Sequence, residues 1–450
     1  MSYNKISFFK FSLSLIVILF LYSNIVFAID TINISQGRNS AVPVAINYFS
    51  YKSSTDKKIA NDITHVISQD LKNSLLFKTI PSSAFIDDQK GISHQVLFTS
   101  WSYINANFLL NGEVVRCANN KIKVSVILWD IVLEKNVFAE SFESSPHLWR
   151  RVAHKIADQV YEYVIGDAGY FDTKIAYVAE TGHYKKRVKR IAIMDYDGEN
   201  HRFLTDGKFL ALTPRFSPTI NKILYLSYEN NSPRVHMIDI STGKEVIVGN
   251  FLGMSFAPKF SPDGNKALMS IAKSGSTHIF EIDFNTMRVK QLTQGNNINT
   301  SPSYSPDGKK IVFNSDRSGT RQLYVMDSNG VNVKRISFGD GSYATPTWSP
   351  RGDYIAFTKI TREYGFTIGV MQIQAIDCNA ISERIIASGY LVEGPSWAPN
   401  GREVIFNKAT APNRNGDVKS KLYMIDITGA NEREVKTPFN ASDPDWSMTR

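Results

Sequence analysis

Two cysteines in 450 residues, Cys117 and Cys378, leave little room for a disulfide framework. They stand far apart in regions of different character, and widely separated single cysteines act as small buried apolar residues, so no disulfide is expected. Beyond residue 28 no apolar run is long enough to span a bilayer, which needs about 20 residues. Lys and Arg are not massed in one basic run, and nucleic acid is therefore not an expected partner despite a pI near 9.2. There is no Gly-x-Ser-x-Gly, the motif that an α/β-hydrolase nucleophile requires. His183, His201, His236 and His278 fall on different blades of the repeat array described below, at no metal-ligand spacing. Neither a metal nor a cofactor is expected.

The one long apolar run is at the start. Lys5 and Lys10 precede "FSLSLIVILFLYSNIVFA", which ends on Val26-Phe27-Ala28. Small residues three and one positions before a cut, with Ser12, Ser14, Ser23 and Asn24 interrupting the run, predict a signal peptide over residues 1–28, cleaved between Ala28 and Ile29. Loss of its two lysines and no acids takes the formal charge from +9 to +7. The mature protein is expected to be soluble beyond the inner membrane, in the periplasm.

What the chain has in abundance is one phrase. "PRFSPTINKILYLS" from Pro214 returns as "PKFSPDGNKALMS" from Pro258, "PSYSPDGKKIVFNS" from Pro302, "PTWSPRGDYIAFTK" from Pro346 and "PSWAPNGREVIFNK" from Pro395. A truncated copy, "PDWSMTR", begins at Pro444, and the leading prolines stand 44, 44, 44, 49 and 49 residues apart. A period in the forties is that of a propeller blade. The chemistry of the phrase agrees: proline presets φ for a turn, Asp or Asn follows, and Gly takes the positive φ that ends it. Asp263 and Asp307 are thus turn formers before they are catalysts. "SPTI" at Ser217 lacks Asp-Gly, which predicts a looser hairpin there. The strands around "KIAYVAE" (Lys174 to Glu180) lack a leading strand, and "PDWS" is a leading strand without followers. If the two pair, five whole blades and one composite blade close a six-bladed ring with no open edge at the seam.

Residues 29–168 read differently. "INISQG" and "PVAINYF" alternate like strands, residues 56–76 place Ile59, Ile63, Val66, Ile67 and Leu71 on one helical face, and a hairpin or meander follows. Ser145-Pro146 then caps a helix whose stripe is Leu148, Val152, Ile156, Val160 and Val164. The fold class expected is a small N-terminal α/β domain (29–168), linked by "GDAGYFDTK" to an all-β six-bladed propeller (169–450).

The signal peptide, the opening "INISQG......PVAINYF", the small α/β domain and the Ser-Pro-Asp-Gly propeller closed by "DWS" resemble the TolB family over the whole mature chain. That family supplies the soluble periplasmic component of the Tol-Pal envelope system of Gram-negative bacteria. The resemblance implies a monomeric, non-enzymatic binding protein that supports outer-membrane integrity and envelope constriction at cell division. It implies two partners, the lipoprotein Pal at the propeller mouth and TolA at the N-terminal segment, with other outer-membrane proteins as further candidates. A propeller-bearing exported hydrolase or lyase is the competing class.

Two sites are expected. The residues before each leading proline read as turns lining one mouth of the channel, and the resemblance implies that they form the Pal-binding set, with Met254 to Ala257 and Thr300 matching the family's Pal face: Thr213, Met254, Ser255, Phe256, Ala257, Thr300, Ser301, Thr345, Gly394 and Asp443. Small, polar residues there either admit a partner's loop or merely fit a crowded turn. Ile29, Asp30, Thr31, Ile32, Asn33 and Ile34 form the TolA segment, an extended peptide suited to strand addition; the same residues also suit the first strand of the small domain.

Overall fold

A computed structural model describes residues 41–86, 91–92, 95–183, 186–229, 232–248, 254–374 and 378–448. The expected signal peptide, its cleavage site and the segment Ile29–Ile34 lie outside the described residues. Among those described, no helix is long and apolar enough to cross a membrane.

The first part is a mixed sheet with helices on it. Strands β1 (Val42–Ile46), β2 (Ser50–Tyr51), β3 (Phe77–Ile80), β4 (Phe108–Arg116), β5 (Ile122–Asp130) and β6 (Lys135–Ser144) are ordered β3-β1-β4-β5-β6, with β2 beside β4. β1 runs parallel to β3 and β4, and the connection from β1 to β3 is the long helix α1 (Lys57–Asn73). α2 (Phe98–Tyr103) is short, and α3 (Trp149–Ile165) lies against α1. α1 buries Ile63, Val66, Ile67 and Leu71, as its period requires, with Ile59 only partly covered. The stripe of α3 is shifted from the expected one. Residues Pro146–Leu148 form a 3₁₀ turn that rotates Leu148 into solvent, and the buried face is Val152, Ala153, Ile156, Ala157, Val160 and Tyr161.

The second part is six four-stranded antiparallel sheets. Five are continuous in sequence, and the sixth is composite: Asn440–Trp446 pairs with Lys174–Thr181, Trp446 opposite Ile175. His183 and His201 both belong to this composite blade rather than to separate ones. No disulfide joins Cys117 to Cys378. The hairpin at "SPTI" is looser, as its sequence predicts: Ser217 N still donates to Lys222 O at 2.9 Å, against 2.8 Å for Ser261 to Lys266, but the cross-turn bond donated by Gly264 N, Gly308 N, Gly352 N and Gly401 N in the other repeats has no counterpart here among the described residues. Ser217 Oγ accepts from the Thr219 and Ile220 amides in place of the missing Asp. Where Asp is present, Asp263 and Asp307 each cap their turn, accepting from Ser261 and Asn265 or from Ser305 and Lys309.

The segment between the parts is buried rather than a solvated linker. Gly166 ends α3 in the left-handed conformation (φ 82°), and Tyr170 and Phe171 then insert between the two parts. They contact the rings of Tyr161, Tyr196 and Trp446, so one hydrophobic cluster runs from β1 and both long helices into the composite blade. All of these contacts are to the Ser-Pro-Asp-Gly face of the ring, where Asn400 Nδ2 also donates to Ala168 O. The opposite mouth, where the inner strands begin, is left uncovered by them.

Candidate functional site

The residues before the leading prolines are not turns ahead of the inner strands; they are bulges within them. The six inner strands are Ala211–Phe216, Met254–Phe260, Asn299–Tyr304, Ser342–Trp348, Leu391–Trp397 and Asn440–Trp446. In each, the register breaks at the proline, as between Leu212 and Arg215 or between Thr300 and Ser303. Proline has no amide to give the ladder and is admitted to a strand only where none is needed, which is at a bulge. The residue before it takes positive φ: 49° at Thr213, 53° at Ser301, 46° at Thr345, 66° at Gly394 and 48° at Asp443. For a non-glycine residue, and above all for β-branched Thr, that conformation costs on the order of 1 kcal/mol or more.

These bulges line a cavity of about 210 Å³ at the uncovered mouth, bringing together Thr213, Phe256, Ser301, Thr345, Gly394 and Asp443 with the prolines between them. Thr300 is one step away, its Oγ1 accepting from Asn314 Nδ2 at 2.7 Å. Met254, Ser255 and Ala257 belong to the inner strand of the second blade, and their side chains lie outside the described residues.

Opposite the bulges, the neighbouring strands present polar groups. Ser270 pairs with Phe256, Asn314 with Thr300, Thr358 with Ala344 and Asn407 with Glu393. Thr358 Oγ1 bonds Thr345 Oγ1 at 2.8 Å, but the buried oxygens of Thr213 (Oγ1), Ser270, Asn314 (Oδ1) and Asn407 (Oδ1) have no protein partner among the described residues. Two acids stand with them. Burial pushes the Glu393 carboxyl up, helped by the like charge of Asp443. Asp443 is itself pushed up by burial, against the pull of Arg215 and Lys189 and an amide bond from Thr213. The mouth thus offers hydroxyls, amide oxygens and two acids, with Arg215 and Lys259 at its inner end, and suits a ligand that exchanges hydrogen bonds of both senses.

Deeper in, the sign of the wall changes. The residues after each leading proline are Arg215, Lys259, Ser303, Thr347, Ser396 and Asp445, and beyond them lies a second cavity of about 360 Å³ that opens among the repeat prolines on the other face. Lys259 Nζ donates to Thr347 Oγ1 at 2.7 Å. Burial pulls its pKa down to about 8; Asp445 opposes that and Arg215 adds to it. Sequence inspection missed this ring, although stacking the repeats on their prolines would have displayed it as R, K, S, T, S, D.

A depressed lysine destabilises the fold while it is charged. Between about pH 8 and the unfolded value near 10.4, the folded chain holds fewer protons than the unfolded one, so stability rises with pH in that window. Lys259→Met is expected to raise stability at pH 7 by about 1–3 kcal/mol, by analogy with the replacement of buried charges by apolar side chains, and to flatten this rise. Thermal unfolding at pH 7 and pH 9.5 in a buffer free of phosphate and carboxylate checks both, and an equal pH response in the two proteins would refute the assignment.

A third cluster lies at the junction of the two parts. His154 on α3 sits between two carboxylates, with Nδ1 at 2.7 Å from Asp70 Oδ2 on α1 and Nε2 at 3.6 Å from Asp197 Oδ2 on the composite blade. Tyr196 OH donates to Asp70 Oδ1, and Arg150 pairs with Asp197. Asp70, His154 and Asp197 are close enough to suggest a metal site. The carboxylates, however, address opposite edges of the imidazole, which makes a hydrogen-bond chain rather than one coordination sphere.

A closed ring of six four-stranded blades, with one strained bulge repeated at its uncovered mouth, defines a six-bladed β-propeller. The comparisons then name the family. The model described as TolB beta propeller domain matches residues 161–450, and that described as TolB amino-terminal domain matches residues 30–137. The chain belongs to the TolB family. It is 56% identical over 240 residues to the Tol-Pal system protein TolB of Rickettsia bellii (strain OSU 85-389), and equally to that of Rickettsia prowazekii (strain Madrid E). Each of these alignments covers 53% of this chain and 54% of the relative, so the chain spans about half the length of the curated relatives it matches. The crystal structure of TolB from Acinetobacter baumannii is similar over 90% of this chain and 96% of its own, at 25% identity and a TM-score of 0.78.

Proposed function

We propose that this chain is a non-enzymatic periplasmic component of the Tol-Pal system that binds the lipoprotein Pal at the bulge-lined mouth and TolA through Ile29–Ile34. In that role it supports outer-membrane integrity and envelope constriction at division. The observation that carries the Pal reading is the repetition of one strained bulge around one open mouth. Strain recurring at equivalent places marks a candidate ligand site, and among these bulge residues the buried Thr213 Oγ1 has no protein partner among the described residues. The names of the relatives support the envelope system, and the uncovered position of the mouth supports access by a protein partner.

Calorimetric titration with Pal tests the site. Ser301→Arg and Thr345→Arg each place a bulky charge in the mouth at a position already in the left-handed region, where the new side chain adds no backbone strain. Each is expected to weaken Pal binding at least about 30-fold, the effect of losing a hot spot worth about 2 kcal/mol. Arg288→Glu, on an exposed outer position, is expected to change it less than twofold. Unchanged affinity in both mouth variants would refute the placement. In the same titrations, removal of residues 29–37 is expected to abolish TolA binding and leave Pal binding intact; retained TolA binding would sink the segment's role.

A further inference from the structure

An innermost strand has a ladder partner on one side only, so alternate main-chain N–H groups face the channel. At three of the six junctions, the side chain after the repeat proline of one blade accepts such an N–H from the next. Ser303 Oγ accepts from Trp348 N at 3.3 Å, Ser396 Oγ from Trp446 N at 3.1 Å and Asp445 Oδ2 from Phe216 N at 2.8 Å. In the first two blades that position is Arg215 and Lys259, side chains that donate and have no acceptor. The N–H groups that face them belong to Phe260 and Tyr304, which hold the same register as Trp348: Phe260 pairs with Ala267 and Tyr304 with Ile311, as Trp348 pairs with Ile355.

One arc of the channel therefore gathers a guanidinium, an ammonium and two amide donors where other junctions supply an acceptor. Asp445 lies 3.9 Å from Arg215 Nε and already accepts from Phe216 N and Ser396 Oγ; Asp443, which Arg215 also pulls on, and Glu393 line the mouth cavity with the two cations, whose own bonds go to Pro214 O and Thr347 Oγ1. Arg215 and Lys259 line both cavities, so the arc can be reached from either mouth.

We propose that this arc is a binding site for a small oxyanion, a carboxylate or a phosphate, held between Arg215 and Lys259 and seated on the amides of Phe260 and Tyr304. Its oxygens take the bonds that the missing Ser or Asp takes elsewhere, and its charge pairs with the two cations directly. The site lies at the inner end of the mouth cavity and does not depend on the Pal reading. The anion is either free in solution or a carboxylate carried in by a protein that occupies the mouth.

Inorganic phosphate is the probe. Titrated at constant ionic strength against chloride, it is expected to raise the Tm of the full chain in a saturable way, because it binds the folded state alone. The dissociation constant, read by calorimetry, should rise at least tenfold in Lys259→Met, which removes a charge without adding a buried one. It should stay within about threefold in Lys259→Arg and in Arg288→Ala, an outer-face control. Loss of phosphate binding in Lys259→Met with retention in Lys259→Arg supports the site. A phosphate response no different from chloride, or one that survives in Lys259→Met, overturns it. Repeating the titration with Pal bound separates the sources: phosphate excluded by Pal means that a partner carboxylate takes the arc, and phosphate unaffected by Pal means a free anion.

Discussion

Deletion of residues 444–450 is expected to leave a protein that is largely unfolded or self-associated at 37 °C. The segment holds the end of the closing strand, and its losses are concentrated in a few groups. Trp446 is 1% exposed, its indole N–H donates to Thr173 Oγ1 at 2.8 Å, and its ring meets Tyr170 at 5.8 Å between centroids. Removing such a side chain alone costs about 3–5 kcal/mol. Ser447 exchanges two bonds with Lys174, and Asp445 ties the strands on either side of the seam together, each bond worth about 1 kcal/mol net. The sum approaches the 5–15 kcal/mol that holds a typical fold together. What remains exposes the edge around Ile175 and Ala176, the buried part of the strand that paired with Trp446 and Asp445 and a ready template for a second chain. Urea unfolding and sedimentation velocity decide the matter: a truncated monomer as stable as the parent would refute closure by this strand.

The second large effect is expected from Asp70→Ala. Asp70 and His154 are each about 2% exposed or less, and with Tyr196 they tie both long helices to the composite blade. Removing the carboxylate leaves an imidazole and a phenol without their partner inside the protein, and breaking a buried pair from one side costs about 3–5 kcal/mol. Burial works against the imidazolium, but Asp70 and then Asp197 hold it, and the net result is a His154 pKa above the ordinary value. Asp70 is pushed up by burial as well, against the pull of His154 and Tyr196. In both cases the folded state favours the proton. The stabilisation from His154 is therefore full below its unfolded pKa of about 6.5 and lost as pH rises through the folded value. Chemical denaturation of the parent from pH 6 to pH 8, below the window in which Lys259 acts, should show this decline, and Asp70→Ala should be both weaker and flatter across it. A loss under about 1 kcal/mol with the parent's pH profile would mean that the chain of bonds does not hold the two parts together.

The parts of this protein that local chemistry controls were readable residue by residue. Pro, Asp and Gly at fixed offsets demand one turn, and a turn every 44 to 49 residues demands a blade. One surplus strand matching one missing strand demands a ring. The stripe on α1 is equally local, since a 3.6-residue period needs no partner to be seen. The stripe on α3 starts later than its period suggests, because Pro146–Leu148 form a 3₁₀ turn that carries Leu148 off the buried face. The mouth was located but misread as turns: a proline signals that an amide is absent, while only the paired strand shows whether the chain bends there or bulges.

The charge arc and the buried chain at the junction had no signal along the sequence, for a reason of distance. Arg215 meets Asp445 across 230 residues, Asp70 meets His154 across 84 and Tyr196 across 126. Whether a lysine is solvated or a depressed cation in a channel, and whether an aspartate is a surface charge or the centre of a buried network, depends on the dielectric and the neighbours that closure brings. The sequence by itself determined the repeat, the turn geometry, the ring and its family, because each follows from bonds among residues close in the chain. Only the tertiary structure decided which polar groups face one another in the channel and at the junction, because those pairings join residues that lie far apart in the chain and meet only when its elements pack.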